Sequence, residues 1–387
     1  IGRIVTRLAT LDDETLNAAD LRHYYRSATV LAKAQRHGEA EGYWRLLLAA
    51  GDHKPEALQG IALSALAVGQ ATDAVAILFR AAELAPGDVA IKADLAWALA
   101  NAGEGERGYA LARQLTRDHP ESTAAQTACG RILWKMARPD EATNQFARVL
   151  RKAPADVPSR MSLAALQAAE GEWDLARSNH KRVLELQPGN ALAHTALAEI
   201  ELRQENWASA WPEFGWRFGT WPGTPPYHFS SIDADRLPRR WDGGSLKKSR
   251  VFLRAERSVL EQLLFADLLS QVEKESRHVL IECDPRLANL FAASFPGVSV
   301  KPSATTTESD LSEQAIEVAS SLGDLMARYR TKAVDFPVRR RPWLTLDSER
   351  VAVLRTEYQA CFPGRPLVAL SWRQSGNDAS GGATLAS

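Results

Sequence analysis

The side chains best placed to do chemistry are charged residues that follow short apolar runs. Asp284 and Arg286 come directly after His278-Val-Leu-Ile-Glu-Cys283, and Arg373 comes directly after Leu367-Val-Ala-Leu-Ser-Trp372. Runs of that length and makeup predict buried strands. Open parallel sheets bind ligands beyond the carboxyl ends of their strands, so these three residues are candidate substrate contacts. The basic run Arg339-Arg340-Arg341 could meet a phosphate, although such runs are usually solvated. Other chemistries have no carrier. There is no phosphate-loop motif, no H-E-x-x-H, no clean G-x-G-x-x-G, and the 8 histidines are scattered. Cys129, Cys283 and Cys361 are odd in number and lack C-x-x-C spacing. A disulfide framework or zinc knuckle is therefore not expected, no metal site is expected, and a reducing, cytoplasmic setting is.

The elements that must carry these residues come in two kinds. Pro86, Pro120, Pro154 and Pro188 follow one another at intervals of 34 residues. Small or aliphatic pairs recur in step with them: Ile61-Ala62, Leu95-Ala96, Cys129-Gly130, Leu163-Ala164 and Leu197-Ala198. A second small residue follows in each unit, at Ala74, Gly108, Ala142, Ala176 and Ala210, where a second helix must cross the first. Proline ends each unit because it cannot donate a hydrogen bond and disfavours helix in the residue before it. Gly69, Gly103 and Gly171 mark turns inside the units. This pattern resembles the tetratricopeptide repeat, a stack of helical hairpins. The reading is a degenerate helical repeat or cap over 1–53, then five repeats over 54–218.

Stacked repeats bury their apolar stripes against one another and expose an extended concave face lined by first helices. The groove residues expected there are Trp97, Asn101, Arg131, Trp134, Lys135, Glu199 and Arg203. The repeat implies a protein or peptide partner. For Trp97 and Trp134 the competing reading is packing between hairpins rather than anchoring a peptide. Lys plus Arg and Asp plus Glu each total 47, so no net field favours nucleic acid, and no nucleic-acid role is expected. No apolar run approaches the roughly 18 to 20 residues of a membrane span. The chain begins at Ile1, which leaves room for a signal peptide upstream.

The helical period stops in a tryptophan-rich stretch, Trp207-Ala-Ser-Ala-Trp211-Pro-Glu-Phe214-Gly-Trp216-Arg217-Phe218, followed by a Trp, Pro and Gly-rich linker over 219–249. From Arg250 the pattern becomes strand (Val251 to Ala255), helix (Leu260 to Val272), strand (His278 to Cys283), helix (Pro285 to Phe295) and strand (Val298 to Val300). A polar loop is expected around Thr305 to Ser309, then helices over Leu322 to Tyr329 and Asp347 to Cys361. Alternation of this kind predicts a doubly wound parallel sheet of Rossmann-like type over 250–373, with 374–387 a disordered or truncated tail. The fold class is thus α plus α/β, a helical solenoid followed by one sheet domain.

The succession Arg240-Trp-Asp-Gly243, Leu253-Arg-Ala-Glu256, Leu264-Phe-Ala266, Ile281-Glu-Cys-Asp-Pro-Arg-Leu287, Phe295-Pro-Gly297 and Leu370-Ser-Trp-Arg373 is similar to bacterial tetratricopeptide-repeat proteins with a C-terminal glycosyltransferase-like module. In layout these resemble O-linked N-acetylglucosamine transferases and, in the second domain, heptosyltransferases. The resemblance implies a GT-B fold whose N-terminal half faces the acceptor. It also implies that the nucleotide-sugar-binding half would lie beyond Ser387, leaving no cofactor in this chain. Where relatives carry Glu-Gln-Gly-x-Gly-Asp after the first strand, this chain has Glu256-Arg257-Ser258-Val259-Leu260-Glu261. Both glycines are absent. Glu261 and Glu256 are the candidate catalytic carboxylates, able in principle to take a proton from an acceptor hydroxyl. The competing reading for both is a charge interaction at a helix N-terminus. Two functions follow: repeats that present a protein to a sugar-transfer site, or a non-catalytic scaffold.

Overall fold

The structure, a computed structural model, describes residues 23–28, 31, 37–49, 55–67, 69–218, 238–256, 258–303, 305–336 and 344–364. Two compact units are present. Among the described residues the first runs to Ile200 and includes 216–218; the second holds Glu201–Gly215 and everything from 238 onward.

The first unit is a run of antiparallel helical hairpins. After α1 (His37–Ala49), the hairpins are α2 (Pro55–Ala67) with α3 (Ala71–Leu84), α4 (Val89–Asn101) with α5 (Gly105–Asp118), α6 (Thr123–Lys135) with α7 (Pro139–Lys152), and α8 (Val157–Ala169) with α9 (Trp173–Leu186). Helix α10 (Ala191–Arg203) follows, and then α11 (Trp207–Phe214). The residue before each repeat proline is the C-cap of a second helix: Ala85, His119, Ala153 and Gln187. Two residues after each proline a side chain caps the next first helix. Asp88 accepts from Ala90 N and Ile91 N, Ser122 from Ala125 N, Asp156 from Ser159 N and Asn190 from Ala193 N. Each such cap contributes about 1 kcal/mol.

The turn within each hairpin is built on a left-handed residue. It is Gly69 (φ 82°), Gly103 (φ 89°), Ala137 (φ 58°), Gly171 (φ 82°) and Glu205 (φ 59°), again at the repeat interval. The following N–H reaches back into the first helix, from Gln70 to Ala65 O, Glu104 to Leu99 O, Arg138 to Leu133 O and Glu172 to Gln167 O. Small residues allow the two helices to touch. At Gly108 a β-carbon would lie 2.4 Å from the Ala96 carbonyl oxygen, so backbone meets backbone.

The second unit is centred on a parallel sheet in the order β1-β5-β2-β3-β4. Its strands are β1 (Arg239–Arg240), β2 (Arg250–Arg254), β3 (His278–Cys283), β4 (Val298–Pro302) and β5 (Val318–Ser321). Every pairing is parallel, with Leu253 opposite Ile281 and Ser320, and Ile281 opposite Val300. Alternation sends Val251, Leu253, Val279, Ile281 and Val318 to one face. There they meet Phe265 of α12 (Val259–Phe265), Leu269 of α13 (Leu269–Glu275), Phe291 of α14 (Ala288–Ser294) and Met326 of α16 (Met326–Tyr329). Phe252, Leu280 and Ala319 go to the other face, against Leu311 of α15 (Glu308–Glu313). Helix α17 (Ser348–Cys361) buries none of its side chains.

Several expected elements shift. The helix expected over Leu260 to Val272 breaks at a 3-10 turn, Ala266–Leu268, into α12 and α13. The loop expected around Thr305 to Ser309 starts α15, because Thr307 and Asp310 form a reciprocal capping box. Strand β5 escapes an apolar-run reading because half of it is serine. The span expected as linker, 219–249, contains β1 and the buried Trp241. Helix α11, expected with the repeats ending at 218, falls in the second unit: Trp211 is in its core, with Trp207 and Phe214 packed against it. The strand expected over Leu367 to Trp372 lies outside the described residues, as do the linker residues 219–237 and the tail 374–387.

Candidate functional site

On the first helices of the first unit, positions one repeat apart point the same way. Trp97 of α4 and Arg131 of α6 are such a pair, and the Arg131 guanidinium lies 3.9 Å from the centroid of the Trp97 ring. Asn101, one turn on, donates its side-chain amide to the Trp97 carbonyl at 2.8 Å. Behind them sits a residue that the repeat reading passes over. Asp94 accepts from the Gln59 side chain of α2 at 2.6 Å and feels the charge of Arg131. Burial works against both charges, pushing Asp94 above and Arg131 below their usual values, with the attraction between them opposing that cost. Three consecutive first helices are thereby tied through polar side chains. The signal was available: where Asp94 stands, the other repeats have Gly60, Ala128, Ser162 and Ala196.

The remaining groove residues are less tightly held. Trp134 is half-buried and, like Trp97, rests one side against the core around Ile132, Leu133 and Phe146. Lys135 and Glu199 are exposed. Arg203, also exposed, belongs to the second unit.

In the second unit the carboxyl ends of β2, β3 and β5 gather the charged residues expected there. Glu256, 4% exposed, accepts the Gly323 N–H at 2.8 Å, joining the loop after β2 to the loop after β5. Gln262 links the same loop to the one after β3: its amide donates to Glu256 O at 2.6 Å and its carbonyl accepts from Asp284 N at 2.9 Å. Asp284 accepts from Arg286 Nε at 2.9 Å and Nη2 at 2.8 Å, and the guanidinium holds this carboxyl down to about 2. Glu261 is the third residue of α12, where it accepts from Ser258 Oγ at 2.9 Å and Ser258 N at 3.3 Å. That is a capping box, the helix N-terminal interaction that competed with a catalytic reading.

Residues that motif reading missed complete this edge. Glu282 is buried, accepts from Thr306 N at 3.4 Å and lies 3.8 Å from Arg254 Nε. Arg240 sits 3.6 Å from Asp324. Arg373 and Arg339 to Arg341 lie outside the described residues. Among the described residues there is no group of His, Cys, Asp or Glu arranged to hold a metal ion, and no helix long and apolar enough to cross a membrane.

The tetratricopeptide-repeat family model matches residues 65–132. Among solved structures, the chain is similar to MamA from Desulfovibrio magneticus, at 20% identity over 42% of this chain and 92% of that one, with a TM-score of 0.30. It is also similar to a thermophilic TPR protein of Thermus thermophilus, at 19% identity over 47% of this chain and 99% of that one, with a TM-score of 0.40. No curated protein matches. With hairpins that recur at the 34-residue interval in both sequence and structure, the helical half of the chain carries tetratricopeptide repeats.

Proposed function

We propose that the repeats hold an extended segment of a partner polypeptide along the face of their first helices. The observation that carries this reading is the Trp97–Arg131 stack, backed by Asp94 and Gln59. Tryptophan and arginine dominate the energetics of protein interfaces, and a pair already ordered in the free protein loses little freedom on binding. Asn101 and Lys135, at equivalent positions of consecutive repeats, place polar groups beside the stack. A photo-crosslinking residue in place of Asn101 should capture a partner segment, and the same residue in place of exposed Glu106 should not. Trp97→Ala should abolish the capture; equal labelling at the two positions would sink the proposal.

A second reading follows from the gathering of Glu256, Asp284 and Arg286 at one end of the parallel sheet. In it the second unit contributes the acceptor side of a sugar-transfer site, as the resemblance to glycosyltransferase-like proteins implies. The hydrogen bonds of Glu256 and Glu261 support structural work for both carboxylates, and the scaffold alternative rests on them. Calorimetric titration of the full-length protein with nucleotide-sugars separates the two, since absence of binding across uridine, guanosine and adenosine diphosphate sugars excludes the transferase reading.

A further inference from the structure

The second helices of the repeats carry a feature that partner binding on the first helices does not use. Two of them begin acidic and end basic: α5 has Glu106 in its first turn and Arg117 in its last, and α7 has Asp140 and Glu141 in its first turn and Arg151 and Lys152 in its last, whereas α3 and α9 have no basic residue in the last turn. That polarity suits the helix dipole. Arg113 and Arg117 on α5, and Arg148, Arg151 and Lys152 on α7, are all exposed, and none forms an ion pair with another described residue.

Part of this set recurs at the repeat interval, although the position equivalent to Lys152 on α5 is Asp118. Arg117 and Arg151 are one interval apart, and Lys181 and Arg182 of α9 stand two intervals from Arg113 and one from Arg148. The side chains of Arg113 and Arg148, on helices either side of α6, both act electrostatically on the Cys129 thiol between them. On α9 a recess of about 550 Å³ is lined by Arg160, Arg177, Lys181 and Arg182 together with the carboxylates Asp174 and Glu185. Arg182 is paired with Glu185 there, whereas Lys181 has no ion-pair partner.

We propose that this strip, on α5, α7 and α9, is a second docking surface and that its occupant is an acidic polypeptide segment. Charge complementarity selects an anionic partner. Among the described residues α5 and α7 expose no large apolar side chain and α9 exposes Leu175 alone, too little apolar surface to wedge into a lipid layer. The strip has no exposed aromatic ring on those helices to stack a nucleobase either. Carboxylates spaced along an extended chain meet guanidiniums in the fork geometry that arginine favours.

The test uses the full chain and a fluorescein-labelled polyglutamate peptide read by anisotropy. Binding is expected at low salt, falling at least about tenfold when salt is raised from about 50 to about 500 mM. Arg113→Glu with Arg148→Glu and Arg151→Glu should weaken it by about tenfold or more. The neutral set Arg113→Gln, Arg148→Gln and Arg151→Gln keeps the helices' capacity to fold and should also weaken it, while Trp97→Ala leaves it unchanged. The assignment fails if polyglutamate does not bind, or if the neutral set binds it as wild type does. It also fails if a single-stranded RNA oligomer or a phosphatidylserine vesicle binds more tightly than polyglutamate.

Discussion

The Arg131 guanidinium stacks on the Trp97 ring, 3.9 Å from its centroid, although the two residues sit on different helices at equivalent positions of neighbouring repeats. The contact couples α4 to α6 directly and is worth about 0.5 to about 2 kcal/mol depending on how much water it excludes. A double-mutant cycle with Trp97→Leu and Arg131→Met, followed through urea unfolding of the helical signal, should return a coupling energy of about 1 kcal/mol. Strict additivity would mean the stack is incidental.

Glu256 ties two loops of the sheet together through the Gly323 N–H. Removing the acceptor leaves a buried donor unpaired, so Glu256→Ala should destabilise the second unit by about 2 kcal/mol. Glu256→Gln keeps an acceptor at the same reach and should cost less than about 1 kcal/mol. Denaturation monitored by tryptophan fluorescence gives the order; a Gln variant as unstable as the Ala variant would show that the negative charge matters.

His180 is 2% exposed on α9, and its Nδ1 has no hydrogen-bond partner. Burial pushes the ring from its usual 6.5 down to about 4. An unfolded chain therefore binds this proton near pH 6.5, whereas the folded chain resists it until about pH 4. Stability is full above that window and falls through it on acidification, by up to about 3 kcal/mol. The equivalent positions hold Leu78, Ala112 and Phe146, all fully buried, so His180→Leu fits the site. The variant should flatten the loss of thermal stability between pH 7 and pH 4.5, which takes up about 2.6 kcal/mol of that window. An unchanged pH profile would place the titration elsewhere.

The repeats were legible because each hairpin restates its rules locally. Proline, small crossing residues and side-chain caps all fall within one interval. Three of the hairpin turns announced themselves as glycines, but the same turn at Ala137 and Glu205 did not, since tertiary packing imposes the conformation on residues that do not favour it. In the second unit, strands β2 and β3 read well because they are continuous apolar runs buried on both faces. Strand β5 did not, since Ser320 and Ser321 interrupt the run while remaining buried. The polar links were the least visible. Asp94 meets Gln59, and Glu256 meets Gly323, across separations of 35 and 67 residues that no local pattern encodes. Glu261 could be read either as a base or as a capping residue, and only its bond to Ser258 decides what the carboxylate is occupied with.

Ala137 gives the sharpest test of the turn geometry. It stands at φ 58°, in a turn where Gly69, Gly103 and Gly171 occupy the equivalent places. For alanine this region is strained by roughly 1 kcal/mol, because the β-carbon crowds the following carbonyl. Glycine removes that strain but enlarges the freedom lost on folding, which offsets part of the gain. The two effects leave a net stabilisation of about 0.5 kcal/mol for Ala137→Gly. The opposite exchange at Gly103, φ 89°, should destabilise by about 1 kcal/mol or more, since the chain there is further into the region alanine avoids. Paired thermal melts of Ala137→Gly and Gly103→Ala measure both signs. If both variants are destabilised, the turn at Ala137 is held by side-chain packing rather than by backbone conformation alone.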